Sequence, residues 1–73
     1  MSEYTDQTAN NLADLALAEA DASGEPKIVD QINELLGASS QSLAEAYSTA
    51  VRVRRAERRA RELLAASAAK RGA

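Results

Sequence analysis

The chain has 73 residues and a formal net charge of -2, with no cysteine, histidine, tryptophan or phenylalanine, and 17 of its apolar residues are alanine. That inventory leaves no disulfide framework, no thiolate metal site and no imidazole general base, so an enzyme acting on a small molecule is not expected. The net charge conceals a split, because residues 1–45 hold nine acids and one base, Lys27, while residues 46–73 hold eight bases and two acids, Glu57 and Glu62.

A first helix is expected over about residues 5–22. Leu12, Leu15 and Ala16 share one side of it with the more peripheral Tyr4 and Thr8, and Asp6, Asp14 and Asp21 fall opposite, a narrow amphipathic pattern. The run Ser23-Gly24-Glu25-Pro26 is the clear break in the chain.

The second helix is expected over about residues 26–36. Pro26 suits a first turn, where its missing N-H would have no partner. Ile28, Ile32, Leu35 and Leu36 then repeat at i, i+4, i+7 and i+8, and Gly37 is a candidate for the left-handed position after the helix.

The third helix is expected over about residues 40–70. Ser39 or Ser40 can cap its first N-H groups, and Ser42 with Glu45 matches a capping box for a later start. No breaker follows until Gly72, and alanine, arginine, leucine and glutamate are all good helix formers. Leu43, Ala46, Tyr47 and Ala50 share one face of its first half. Val53, Ala56, Ala60, Leu63 and Leu64 share a face of the second half displaced by roughly a quarter turn at about 100° per residue. The two halves therefore meet different surfaces, the first half the second helix and the second half either the first helix or another copy.

The fold class that follows is all-α: three helices, with a helical hairpin and one long C-terminal helix, forming an oligomeric helical bundle. The 73 residues make a single small helical domain. Sixteen large apolar side chains, one of them Met1, are a small core, and chains this short often bury more surface by association. The residues assigned to core or self-association are Leu12, Leu15, Ile28, Ile32, Leu35, Leu36, Leu43, Tyr47, Val53, Ala56, Ala60, Leu63 and Leu64.

Chemistry concentrates in one segment. Arg52, Arg55 and Arg59 form one helical stripe and Arg54, Arg58 and Arg61 a second, opposite Val53, Ala56 and Ala60. Guanidinium groups pair bidentately with carboxylates or phosphates, and six on one helix create a strong local potential. Glu57 is placed to pair with Arg61, Glu62 lies near Arg58 and Arg59, and the acidic first helix can cover more of the charge. Three readings stay open: a solvated or internally paired face, a protein-binding surface, and a nucleic-acid surface. Against the last stand the overall acidity and the lack of tryptophan or phenylalanine to stack on bases.

Residues 29–48 read VDQINELLGASSQSLAEAYS, which resembles the helix-turn-helix motif of bacterial regulators. Ile32, Leu36, Leu43 and Ala46 fall at the motif's buried spacings and Gly37 at its turn. The resemblance implies a recognition helix starting at residues 39–48 that presents Ser40, Gln41, Ala44, Glu45 and Ser48 to DNA. The sequence departs from the motif at Asn33, where a small residue is usual, and the implied reading surface holds no arginine or lysine.

The first twenty residues carry acids and no base, unlike a secretory signal, and no apolar run approaches the roughly 18 residues of a membrane span. The face opposite the arginines is mostly alanine, which suits a second helix better than a lipid surface. Glu3 with Asp6, and Asp14 with Asp21, lack the histidine or ligand-rich loop of a metal site. The sequence is thus read as a cytoplasmic, non-enzymatic interaction or regulatory protein with no cofactor, metal or small-molecule substrate. Its expected partners are itself, as a dimer, and another protein bound through the arginine-rich helix. The alternatives are a small helix-turn-helix DNA-binding transcriptional regulator and a self-assembling structural subunit.

Overall fold

A computed structural model describes residues 2–72, which form three α-helices: α1 (Glu3–Ser23), α2 (Lys27–Ser39) and α3 (Gln41–Gly72). Each start and stop has a local cause. The Ser2 hydroxyl accepts from the Thr5 N-H at 3.1 Å and caps α1. Glu3 and Asp6 sit in the first turn of that helix, where negative charge complements the helix dipole. Gly24 ends α1 in the left-handed conformation, φ 70°, with its N-H on the Ala20 carbonyl. Pro26 precedes α2 with φ -66°. Lys70 and Arg71 occupy the last turn of α3, the sign favoured at a helix C-terminus.

The α2–α3 junction differs from expectation. Gly37 is not a left-handed terminus; α2 runs through it to Ser39, three residues beyond the expected end. Ser40 is the single residue between the helices. Its N-H bonds the Leu36 carbonyl at 2.7 Å and its hydroxyl accepts from the Leu43 N-H at 3.2 Å, so it closes one helix and caps the next. Because Ser40 satisfies both helix ends with an extended backbone, no left-handed glycine is needed.

The core is built around alanine. Ala9, Ala13, Ala16 and Leu17 of α1, Val29 of α2, and Ala46, Tyr47, Ala50 and Val51 of α3 form one buried cluster, with Leu12, Ala20, Ile28, Ile32, Leu36 and Leu43 packed against it. Tyr47 is the largest fully buried side chain, and its hydroxyl donates to the Val29 carbonyl at 2.8 Å. Burial pushes the Tyr47 phenol up, with the negative charge of Asp30 adding to the effect and Arg55 opposing it, so the hydroxyl stays protonated and donates at neutral pH.

Two leucines assigned to core or self-association, Leu15 and Leu35, lie outside the core of the single chain. Leu15 is 66% exposed and Leu35 is 68% exposed. On α1 the line that docks is the alanine line of Ala9, Ala13 and Ala16, and rotating the helix to bury it brings Leu17 inward and turns Leu15 out. Small side chains let two helix axes approach closely, and each buried alanine adds contact along the whole length of the seam. On α2, Val29 is buried in place of Leu35, because the face turned to α1 and α3 is centred on Val29.

α3 spans the molecule. Its 32 residues measure about 48 Å at the standard helical rise, against a longest dimension of 51 Å. Only its first third is covered: Ala44, Ala46, Tyr47, Ala50 and Val51 are buried, and from residue 52 onward every described residue is exposed except Arg54, which is partly covered. Residues 52–72 thus form an arm beyond the core. Ala56, Ala60, Leu63 and Leu64, assigned to core or self-association, contribute nothing to the core of the single chain.

Candidate functional site: the charged arm of α3

The arm carries all six arginines of the cluster, and α1 divides them into two groups. Arg54 is the most engaged. Its Nε donates to Asp14 Oδ1 at 2.5 Å, its two terminal nitrogens reach Asp14 Oδ2 and Asn10 Oδ1 at 3.4 and 3.3 Å, and Nη1 also donates to the Ala50 carbonyl at 3.2 Å. One turn later Arg58 forms a second fork on Asp21, at 3.4 and 3.2 Å. The pairs advance together along α1 and α3, so the two helices run in the same sense. Asp14 and Asp21 do not project away from the other helices as the sequence pattern suggests; they flank the α1–α3 seam, Asp14 beside its apolar part and Asp21 just beyond Ala20.

Arg61 is neutralised within its own helix by Glu57 at 2.7 Å, the expected i, i+4 pair. Arg52, Arg55 and Arg59 make no ion pair among the described residues, and Arg52 only reaches the Thr49 hydroxyl at 3.4 Å. At about 100° per residue these three fall on one strip of α3. The arginine cluster is therefore a clamp on one side, Arg54 and Arg58, and an open cationic row on another, Arg52, Arg55 and Arg59.

The open row borders an apolar strip. Val53 is 59% exposed, Leu63 72% and Leu64 69%, with the exposed Ala56 and Ala60 between them. Winding α3 at about 100° per residue puts the centre of this strip about 130° from the buried face of the same helix. The separation is nearer a third of a turn than the quarter turn read from the sequence, because Val51 and Ala44 also turn inward. Of the two surfaces open to the strip, α1 is met only by Val53, which lines the cleft between α1 and α3 with Asp6 and Asn10; the main contacts of α1 with this part of α3 go to Arg54 and Arg58.

A shallow cleft of about 330 Å³ between α1 and α3 is lined by Asp6, Asn10, Ala46, Thr49, Ala50, Val53 and Arg54. Its one cation is already bonded to Asp14 and Asn10, so the cleft is the seam between two helices. Among the described residues no group of three or more potential ligands is gathered to hold a metal ion, and no helix is long and apolar enough to cross a membrane.

The segment resembling a helix-turn-helix takes a different shape at its turn. A single residue, Ser40, separates α2 from α3, and Ala44, implied to face DNA, is buried. Asn33, where the motif usually has a small residue, is partly buried and its Oδ1 finds no donor, a destabilising arrangement for a buried acceptor. Gly37 lies close to α3, since a Cβ there would meet the Ala44 methyl at 3.9 Å. No protein-family model, curated protein or solved structure matches the chain.

The clamp gives the fold an acid dependence with a definite sign. Hydrogen bonds from Arg54 hold the Asp14 carboxyl below the usual carboxylate range, partial desolvation opposes them, and the Arg54 charge adds to the lowering. A carboxyl whose folded value is depressed contributes stability above its unfolded value and loses it as pH falls through the folded one. Between about pH 5 and pH 3 the urea midpoint of the wild type should therefore drop more than that of Asp14→Asn, which starts lower at neutral pH. The effect is small because the pair is solvated, and molar salt should shrink it further. Equal acid losses in the two proteins would show that the fork adds nothing to stability.

Proposed function

We propose that this chain is a non-enzymatic interaction protein, which self-associates through the arm of α3 and holds a second protein through the open row of Arg52, Arg55 and Arg59. In this reading α2 and α3 form a helical hairpin, α1 braces it, and the complete unit is a dimeric helical bundle working in the cytoplasm as a regulatory component. The single observation that carries the proposal is the arm itself. Residues 52–72 are helical and contribute no buried residue to the core; held to α1 at Arg54 and Arg58, they expose a strip of valine, alanine and leucine beside three arginines with no ion pair among the described residues. Most of a helix's stability in a protein comes from packing its apolar face, and an exposed apolar strip marks a surface that another can cover.

The partner surface suited to the row is anionic and planar in its acceptors, since a guanidinium pairs best with carboxylates in a fork. Asp14 and Asp21 supply the same chemistry on the neighbouring stripe. A pull-down comparing wild type with Arg55→Glu/Arg59→Glu tests the partner half of the reading. The double variant should lose an acidic protein that the wild type retains while keeping its helical signal, because both residues lie outside the core. Identical retained proteins would sink it. A low-salt duplex shift, abolished by the same double variant, would instead promote the DNA-binding alternative, whose affinity should fall steeply with salt.

A further inference from the structure

We infer that the occupant of the apolar strip is a second copy of this chain, and that the two α3 arms pair in parallel, residue against identical residue. The inference rests on the self-association proposed above and assigns its surface and its direction.

Area gives the first argument. A compact monomer of 7.7 kDa exposes about 4,300 Å², whereas this chain exposes 5373 Å². The excess of roughly 1,000 Å² is close to the 800 Å² or so that each partner contributes to a standard stable interface. The spacing of the strip gives the second. Val53, Ala56, Ala60 and Leu63 follow one another at intervals of three, four and three, the a and d positions of a helical pair, and the two central alanines let the axes come close.

Charge selects the direction. The strip has different flanks: the arginine row on one side, and Glu57 with its partner Arg61 on the other. In a parallel two-fold pair unlike flanks meet, and Arg52 of one copy lies five positions before Glu57 of the other, the spacing of an attractive flank pair. In an antiparallel pair like flanks meet, which sets the Arg52 and Arg59 edges of the two copies against each other. The buried face lies about 130° round α3 from the strip, so the cores leave Ala56, Ala60 and Leu63 open to a second copy, and α1 borders the strip only at Val53.

The chain lacks cysteine, so single cysteines report register directly. In a parallel pair, Val53→Cys and Leu63→Cys should each form a disulfide-linked dimer on mild oxidation, while Arg55→Cys on the outer side should not. Ala60→Glu, outside the core, should keep its helical signal and weaken dimerisation by at least about 100-fold in sedimentation, because it buries an unpaired charge in each copy. Cross-linking only in a mixture of the Val53→Cys and Leu63→Cys chains would establish the antiparallel arrangement and overturn this one. A wild-type dimer that neither cysteine cross-links and Ala60→Glu leaves intact would place the seam elsewhere, with self-association standing. A wild type that stays monomeric throughout the micromolar range would remove both.

Discussion

Tyr47→Ala should leave the protein largely unfolded at room temperature. Tyr47 is the largest fully buried side chain among the described residues, at the point where all three helices contribute to the cluster. Truncating a buried aromatic to alanine costs about 3–5 kcal/mol. That matches the lower end of the stability of a chain this short, about 4–11 kcal/mol at the usual 0.05–0.15 kcal/mol per residue. The surrounding residues have little capacity to refill the space, because most of the other buried positions are alanine and have no longer side chain to reposition. Tyr47→Phe separates the ring from the hydroxyl: it keeps the packing and removes the bond to the Val29 carbonyl, for a loss of about 1 kcal/mol. Urea titrations followed by helical circular dichroism, at one fixed protein concentration, give both numbers. If the alanine variant moved the midpoint no further than the phenylalanine variant, the ring would not be the anchor of the fold.

The second large effect is expected from enlarging an alanine. Ala13 is 0% exposed, in the buried line that α1 presents to the other helices. Ala13→Leu adds three carbons at a position closed to solvent, and overpacking of this kind, which separates helices or forces a side chain off its rotamer, costs about 1–3 kcal/mol. Separation would also pull Asp14 away from Arg54 and so weaken the adjacent clamp. The same substitution at Ala66, exposed on the arm, should change stability by no more than about 0.5 kcal/mol. A comparable loss at both positions would mean that leucine acts through helix propensity or the unfolded state, and that the alanine line is not a close-packed seam.

The arginine cluster shows how a pattern visible in the sequence acquires two roles in three dimensions. Six arginines on one helix and nine acids in the first 45 residues are plain from the sequence, as is the pairing of Glu57 with Arg61, because that bond is fixed by helical spacing alone. Which arginines α1 would engage was not legible. Arg54 and Arg58 share a stripe with Arg61, yet Asp14 and Asp21 reach only the first two; the choice depends on where α1 crosses α3, which no local rule sets. The open row is what remains after that choice.

The departures in the core have a related origin. Reading by bulk favours Leu15 and Leu35 as buried residues, whereas the structure buries Leu17, Val29 and Val51 together with six alanines. Periodicity finds a face only where large apolar side chains outline it. In α1 and α3 the docking face is drawn in alanine, which also occupies exposed positions such as Ala18, Ala22 and Ala66, so the pattern does not by itself distinguish inside from outside.

The local features were legible in the sequence: three helices, the break at Gly24, a serine cap at residue 39 or 40, the unbroken third helix and the split of charge. Each depends on interactions within a few residues of chain, between a side chain and its own backbone or between successive turns. The rotation of each helix about its own axis was not legible there and follows from how the helices pack. That rotation buries Ala13 and exposes Leu15, assigns Arg54 and Arg58 to α1, and leaves Arg52, Arg55, Arg59 and the strip from Val53 to Leu64 outward. The physical reason is that rotation is set by how closely two backbones can approach, a property of both surfaces together.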